Sequence, residues 1–240
     1  MKHLIIYILA LISCSAALQA QSLKAMDLGL SVKWANMNVG ASSPEEYGDY
    51  FAWGEIDTKR YYGDYSSYKF IDSKKYKKYN YIHFVGKHTV DSLFTLQKQD
   101  DAATQNLGKN WRMPTSAEVQ ELFEKCIFVK GKLKGTMGFF VANKDTTIKS
   151  DTIFIPLAGR KDFGNFRLYP AKTGYYWTST FVEEDEIAKR DTIDPNGNMV
   201  RMARCLILAE KQNPSLSYIK RSVGCAIRPV STKKKMMRRE

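Results

Sequence analysis

The sequence predicts an α+β fold, and three observations carry that prediction. Only two helix signals occur, both between Asp100 and Cys126; short strand-like runs broken by Gly and Asn lie on either side of them; helix and strand do not alternate as a parallel sheet would require. A hydrophobic fraction of 44% and a charged fraction of 26% in 240 residues exclude disorder throughout and a membrane bundle. A chain of this length buries a sizeable core without help from metal or a disulfide framework.

Residues 1–20 place Lys2 before the apolar run Leu4 to Ile12 and end in the small residues Ala16, Ala17 and Ala20, the order of a secretory signal. The run is shorter than the roughly 20 residues a membrane-spanning helix needs. The Ala20–Gln21 junction offers an ordinary cleavage site. Alternatively, Leu11-Ile12-Ser13-Cys14 resembles a bacterial lipobox, in which Cys14 would become the lipidated first residue and the chain's one tie to a membrane. Either way the expectation is an exported protein: secreted, periplasmic, or associated with the outer membrane or cell surface.

SVKWANMNV (31–39) alternates as a strand does, and the aromatic run YGDYFAWGE (47–55) is a second strand candidate stopped by Gly54. DDAATQNLG predicts a short helix with an acidic start and a stop at Gly108. After Pro114, Thr115 and Glu118 form a T-x-x-E capping box, and Val119, Leu122, Phe123 and Cys126 fall on one apolar face. The rest reads as strands: IFVKG, GTMGFFVAN, DTIFIPLAG, GYYWTSTFV, NMVRMARCLILA and YIKRSVGCAIRPV. No linker or repeat divides 21–230, so one domain is expected, followed by a frayed basic tail, KKKMMRRE, within 231–240.

The charge is +12, from 37 Lys and Arg against 25 Asp and Glu. Nine of the 14 tyrosines fall between Tyr47 and Tyr81, interleaved with the basic stretch Lys59 to Lys98. Two readings fit: a surface of stacking faces and cations suited to sugars or anionic polymers, or a solvated insertion whose tyrosines pack on the domain. Export argues against nucleic acid as the partner. A glycan or an envelope protein suits the same electrostatics.

Beyond the leader, Cys126, Cys205 and Cys225 allow one internal disulfide at most. Cys205 and Cys225, both in apolar strand-like runs, are the favoured pair; three buried thiols acting as small hydrophobes are the alternative. With no CxxC and only His83 and His88 left, no metal site and no cofactor are expected. G-x-S-x-G, H-E-x-x-H, Walker and G-x-G-x-x-G patterns are absent, and the acidic run Glu183 to Glu186 reads as a solvated loop, so the chain reads as non-catalytic.

DLGLSVKWANMNVGA (27–41), YGDYFAWGE (47–55), DDAAT (100–104), NWRMPTSAEVQEL (110–122), IFIPLAGR (153–160), YYWTST (175–180) and AIRPV (226–230) occur in that order. Together they resemble the Fibrobacter succinogenes major paralogous domain, a family abundant in exported proteins of gut Bacteroides and their relatives. The resemblance implies a C-type lectin-like fold, a twisted mixed or antiparallel sheet with two helices and long loops. On it Trp111, Trp177 and Arg228-Pro229-Val230 would hold the scaffold. Calcium-binding lectins use an E-P-N or Q-P-D loop followed by W-N-D; here Asp194-Pro195-Asn196 is a faint echo with no W-N-D, and a plain turn is expected. Formylglycine-generating relatives need a closely spaced cysteine pair, which 20 residues between Cys205 and Cys225 do not give. The implied function is recognition of glycan or protein through loops between Thr180 and Val223, with Asp185, Arg190, Asn196 and Asn198 as contact residues by region. The alternatives are a structural subunit of a surface or fimbria-like assembly, and an enzyme of unrecognised type.

Overall fold

The structure is a computed structural model, and it describes residues 22–72, 75–79, 91, 93–163, 166–181 and 202–231. The leader with Cys14, the histidines, Glu183 to Glu186, the four regional contact residues Asp185, Arg190, Asn196 and Asn198, and residues 232–240 lie outside this set.

The architecture is α+β, built from several small sheets with mostly antiparallel pairing. One sheet joins β1 (Ala25–Met26), β2 (Trp34–Ala35), β14 (Val230–Ser231) and β5 (Trp111–Arg112) in that order. A second is the meander β6 (Cys126–Leu133), β7 (Thr136–Asn143) and β8 (Thr152–Pro156). A third joins β11 (Thr173–Trp177), β12 (Met202–Ala209) and β13 (Gln212–Lys220). Two hairpins complete the set, β3 (Ile71–Asp72) with β4 (Lys75–Tyr76), and β9 (Arg160–Asp162) with β10 (Phe166–Leu168).

Both helices form where the capping residues place them. In α1 (Ala102–Leu107) the buried carboxylate of Asp101 accepts from the Thr104 and Met113 amides, each at 2.9 Å, and Gly108 ends the helix at φ 84°. Burial lifts the Asp101 carboxyl above its ordinary range despite those two donors. In α2 (Ser116–Lys125) the capping box closes in both directions, Glu118 also takes a forked ion pair from Arg112, and Val119 and Leu122 are buried.

The third sheet separates two cores. Successive side chains on a strand point to opposite faces, so Trp177 and Cys205 enter a core with Trp53, Tyr62, Tyr68, Tyr79 and Phe181, whereas Tyr176 and Leu206 enter one with Trp34, Val119, Leu122, Val141 and Ile155. Trp177 donates its indole N–H to Phe51 O and Trp53 donates to Thr178 O, both at 2.8 Å, so these large rings are buried without an orphaned donor.

Several strand expectations are corrected. Residues 31–39 contribute only the two residues of β2, and 47–55 form no strand beyond a bridge between Phe51 and Cys225. Their alternation records burial, while their amides pair singly with irregular neighbours: Val39 to Ile227 O, Trp53 to Arg221 O. Residues 221–229, read as strand, are instead a buried irregular spine whose carbonyls and amides serve Phe51, Lys161, Trp177 and Ala35 in turn. Trp111 is only half-buried on β5, and Ser231, assigned to the tail, is buried and paired with Trp111.

Of the tyrosines between 47 and 81, Tyr50, Tyr62, Tyr68 and Tyr79 are buried in the first core. Two lysines of that basic stretch reach a buried carboxylate. Asp100, only 3% exposed, accepts from Lys69 Nζ at 2.9 Å, Lys78 Nζ at 2.5 Å and the Tyr79 hydroxyl at 2.7 Å.

Candidate functional site

Cys205 and Cys225 are both completely buried and both free thiols, so the disulfide expected between them is not formed in this structure. Cys205 stands across from Trp177 on one edge of β11 and the residue after Cys225 bridges Tyr176 on its other edge, and the two side chains meet between them. Burial, and after it the Cys205 side chain, holds the Cys225 thiol well above the ordinary range; burial pushes Cys126 up to about 11. Neither Cys225 nor Cys126 is thereby primed as a nucleophile. Among the described residues no three His, Cys, Asp or Glu side chains gather into a possible metal site.

The β9–β10 hairpin carries the group of residues best arranged for binding. Its strands pair Lys161 directly with Arg167, Asp162 with Phe166 and Arg160 with Leu168. Lys161 is anchored through its backbone, donating to Gly224 O at 2.7 Å and accepting from Gly224 N at 2.9 Å, so the hairpin is fixed to the central spine. Like charges placed directly opposite on one sheet face repel and cost a few tenths of a kcal/mol. Among the described residues no carboxylate lies within ion-pair distance of either cation.

Lys161 and Arg167 open with Gly48, Asp49, Tyr50, Thr58 and Lys59 onto a recess of about 540 Å3. Beneath it lie tyrosine rings. Lys161 Nζ is 5.2 Å from the Tyr50 ring centre and 5.8 Å from that of Tyr62; the Arg167 guanidinium is 4.7 Å from Tyr47. Two of these rings are pinned: Tyr50 donates its hydroxyl to Ala158 O and Tyr62 to Tyr50 O, both at 2.5 Å. Burial pushes both phenols up to about 12, Tyr50 in spite of the neighbouring Arg167, so both stay neutral donors. Their faces orient the cations without neutralising them. Buried as they are, they offer a ligand no stacking surface. Lys59 is partly spoken for, held by Glu55 at 2.9 Å.

Asp49 is the carboxylate of the recess, and its position depends on two tight turns. A Cβ on Gly40 (φ 77°) would sit 2.4 Å from Asp49 Cγ, and one on Gly48 (φ 69°) would meet Val39 O at 2.3 Å. At the hairpin tip Phe163 is 76% exposed and left-handed at φ 50°, a strained position for an aromatic residue. On the other face of β9, Arg160 lies 4.9 Å from the Tyr175 ring and 5.8 Å from that of Tyr169 and pairs with Asp162 at 3.6 Å. Tyr169 and Tyr175 line a second recess of about 560 Å3 with Lys172 and Glu210.

Reading the sequence missed this hairpin. The stretch KDFGNFRLY lacks apolar alternation because Lys161, Asp162 and Arg167 stand among its paired positions; the available signal was the Gly-Asn pair in the sequence between Lys161 and Arg167. Comparisons with family models, with characterised proteins and with solved structures give no match for this chain.

Proposed function

We propose that this chain is an exported, non-catalytic binding module of the cell envelope or secreted fraction, a member of the Fibrobacter major paralogous type with a C-type lectin-like scaffold, and that it recognises glycan or protein through the face built on the β9–β10 hairpin. One observation carries the reading: Lys161 and Arg167 are held opposite each other over tyrosine rings, at a cost to stability, with no carboxylate on either among the described residues. Repulsion retained in this way is what a site awaiting an external acceptor contains, and an active centre would need in addition a poised nucleophile or acid–base pair. The α+β architecture and the seven sequence motifs that follow one another between 27 and 230 support the scaffold. The leader-like residues 1–20 support export.

Binding of residues 21–240 to a broad glycan array at moderate salt tests it, run with calcium and then with chelator. Moderate salt matters because loss of Lys2 still leaves a strongly basic chain that adheres to polyanions when screening is weak. The expected result is selective binding to a few glycans that survives chelation. Silence across the array would move the reading to recognition of a protein partner or, second, to an assembly subunit. That second reading has its own support: Ile127 and Val129 are exposed on β6, which has no partner on its outer edge among the described residues, and stable oligomers of the purified chain would be its signature.

A further inference from the structure

Resting on that reading, we infer that the recess under the β9–β10 hairpin takes the acidic group of a glycan, a carboxylate or sulfate set between Lys161 and Arg167. The geometry makes the case in three steps. First, the cross-strand register brings two cations to one edge of the recess, and a single anionic group between them converts their repulsion into two charge-assisted contacts. Second, the buried rings of Tyr50 and Tyr62 and the half-buried ring of Tyr47 fix where those cations sit, so little side-chain freedom remains to be lost on binding. Third, Asp49 and Thr58 share the recess. A carboxylate there accepts from neighbouring hydroxyls, which sugar rings carry in number, and it repels a second negative charge close to the first. That combination favours an acidic saccharide with spaced charges over a nucleic acid, and over an acidic peptide that brings no hydroxyls. Lys59, shared with Glu55, adds a third donor at the rim.

The test uses residues 21–240 and three probes of equal length: a galacturonate tetrasaccharide, a sulfated galactose tetrasaccharide and the neutral galactose tetrasaccharide. Titration calorimetry at moderate salt is expected to give at least about tenfold tighter binding to one or both acidic probes than to the neutral one; the carboxylated and sulfated arms identify which acid is taken. Arg167→Glu and Lys161→Glu should each weaken the acidic probe by about tenfold or more. Lys132→Glu makes the same charge change on β6 and should leave affinity within about twofold. The milder Arg167→Gln and Lys161→Gln serve if a reversal fails to fold, with about a fivefold loss expected. Equal losses for Lys132→Glu and Arg167→Glu would overturn the inference in favour of general attraction to polyanions. Neutral binding as tight as acidic, untouched by the Gln variants, would overturn it while leaving a glycan-binding module standing. No binding to any saccharide would overturn the inference and the glycan branch of that reading, and capture of an acidic protein would then leave only its protein branch standing.

Discussion

Asp100→Asn is expected to lower the unfolding free energy by about 2–3 kcal/mol, measured by urea denaturation at neutral pH. The carboxylate is almost fully buried and serves three donors at once, Lys69, Lys78 and the Tyr79 hydroxyl, the last of which also accepts from the Gln97 amide at 2.9 Å. Asparagine keeps the shape but loses the charge, and it leaves Lys78, itself largely covered, facing an amide. Half-exposed Lys69 turns to solvent, which keeps the figure below that of a wholly buried triad. The pH dependence has a definite sign. Burial raises the Asp100 carboxyl, and the hydrogen bonds from Lys78, Lys69 and Tyr79 outweigh it, holding the group below the ordinary carboxylate range. Its stabilisation is therefore complete above the unfolded pKa of about 3.9 and is lost as pH falls through the lower folded value. Asp101 works in the opposite sense, because a raised carboxyl stabilises when protonated and loses that contribution as pH rises. Comparing wild type with Asp100→Asn leaves Asp101 in both chains, so the difference between them should be constant near neutrality and shrink only in acid. A difference that persists unchanged below that range would show that packing, and not charge, holds this corner.

Arg228→Ala should cost more, about 3–5 kcal/mol by the same denaturation measurement. The guanidinium, 1% exposed, donates to Ala35 O at 3.2 Å and to Phe154 O at 2.9 Å, joining the sheet that holds β2 to the middle of β8. Burial draws its pKa down to about 10, still well above neutrality, so it is a charge kept in the interior by two carbonyls and the Tyr176 phenol. Truncation empties the space and strips both carbonyls of a donor in a place water does not reach. Arg228→Met fills the space but not the hydrogen bonds, and about 2–3 kcal/mol is expected. Arg228→Lys should recover less than half of the Arg228→Ala loss, because a single ammonium lacks the fork that reaches both carbonyls. A loss below about 0.5 kcal/mol for Arg228→Met would mean that the two sheets are joined by packing alone.

How much of this was legible beforehand follows from the range of each signal. The Thr115–Glu118 capping box and the Asp101 cap with Gly108 as stop are local chemistry, and both helices stand where the sequence places them. The long meander strands also announce themselves through apolar content. Residues 31–39, 47–55 and 221–229 carry the same alternation and yet pair with one another through scattered single bonds, a matter of tertiary partners that periodicity does not record. Tyrosine and lysine content marked the segment from Tyr47 to Tyr81 but could not divide inward from outward: Tyr79 and Lys78 serve Asp100, whereas Lys59 faces the recess. The partner cations Lys161 and Arg167 lie more than a hundred residues beyond Lys59, and only the hairpin register puts them opposite each other. The regional contact residues Asp185, Arg190, Asn196 and Asn198 lie outside the described residues, so the hairpin face is an additional candidate surface and not a relocation of that one.

An amide chemical-shift map of residues 21–240 titrated with the galacturonate tetrasaccharide tests the central claim most directly. Shifts centred on Gly48, Asp49, Lys59, Lys161 and Arg167, saturating together, are what a binding face on the β9–β10 hairpin predicts. Saturable shifts confined to residues 180–223, with the hairpin unmoved, would contradict it and return the contact surface to the loops between β11 and the spine.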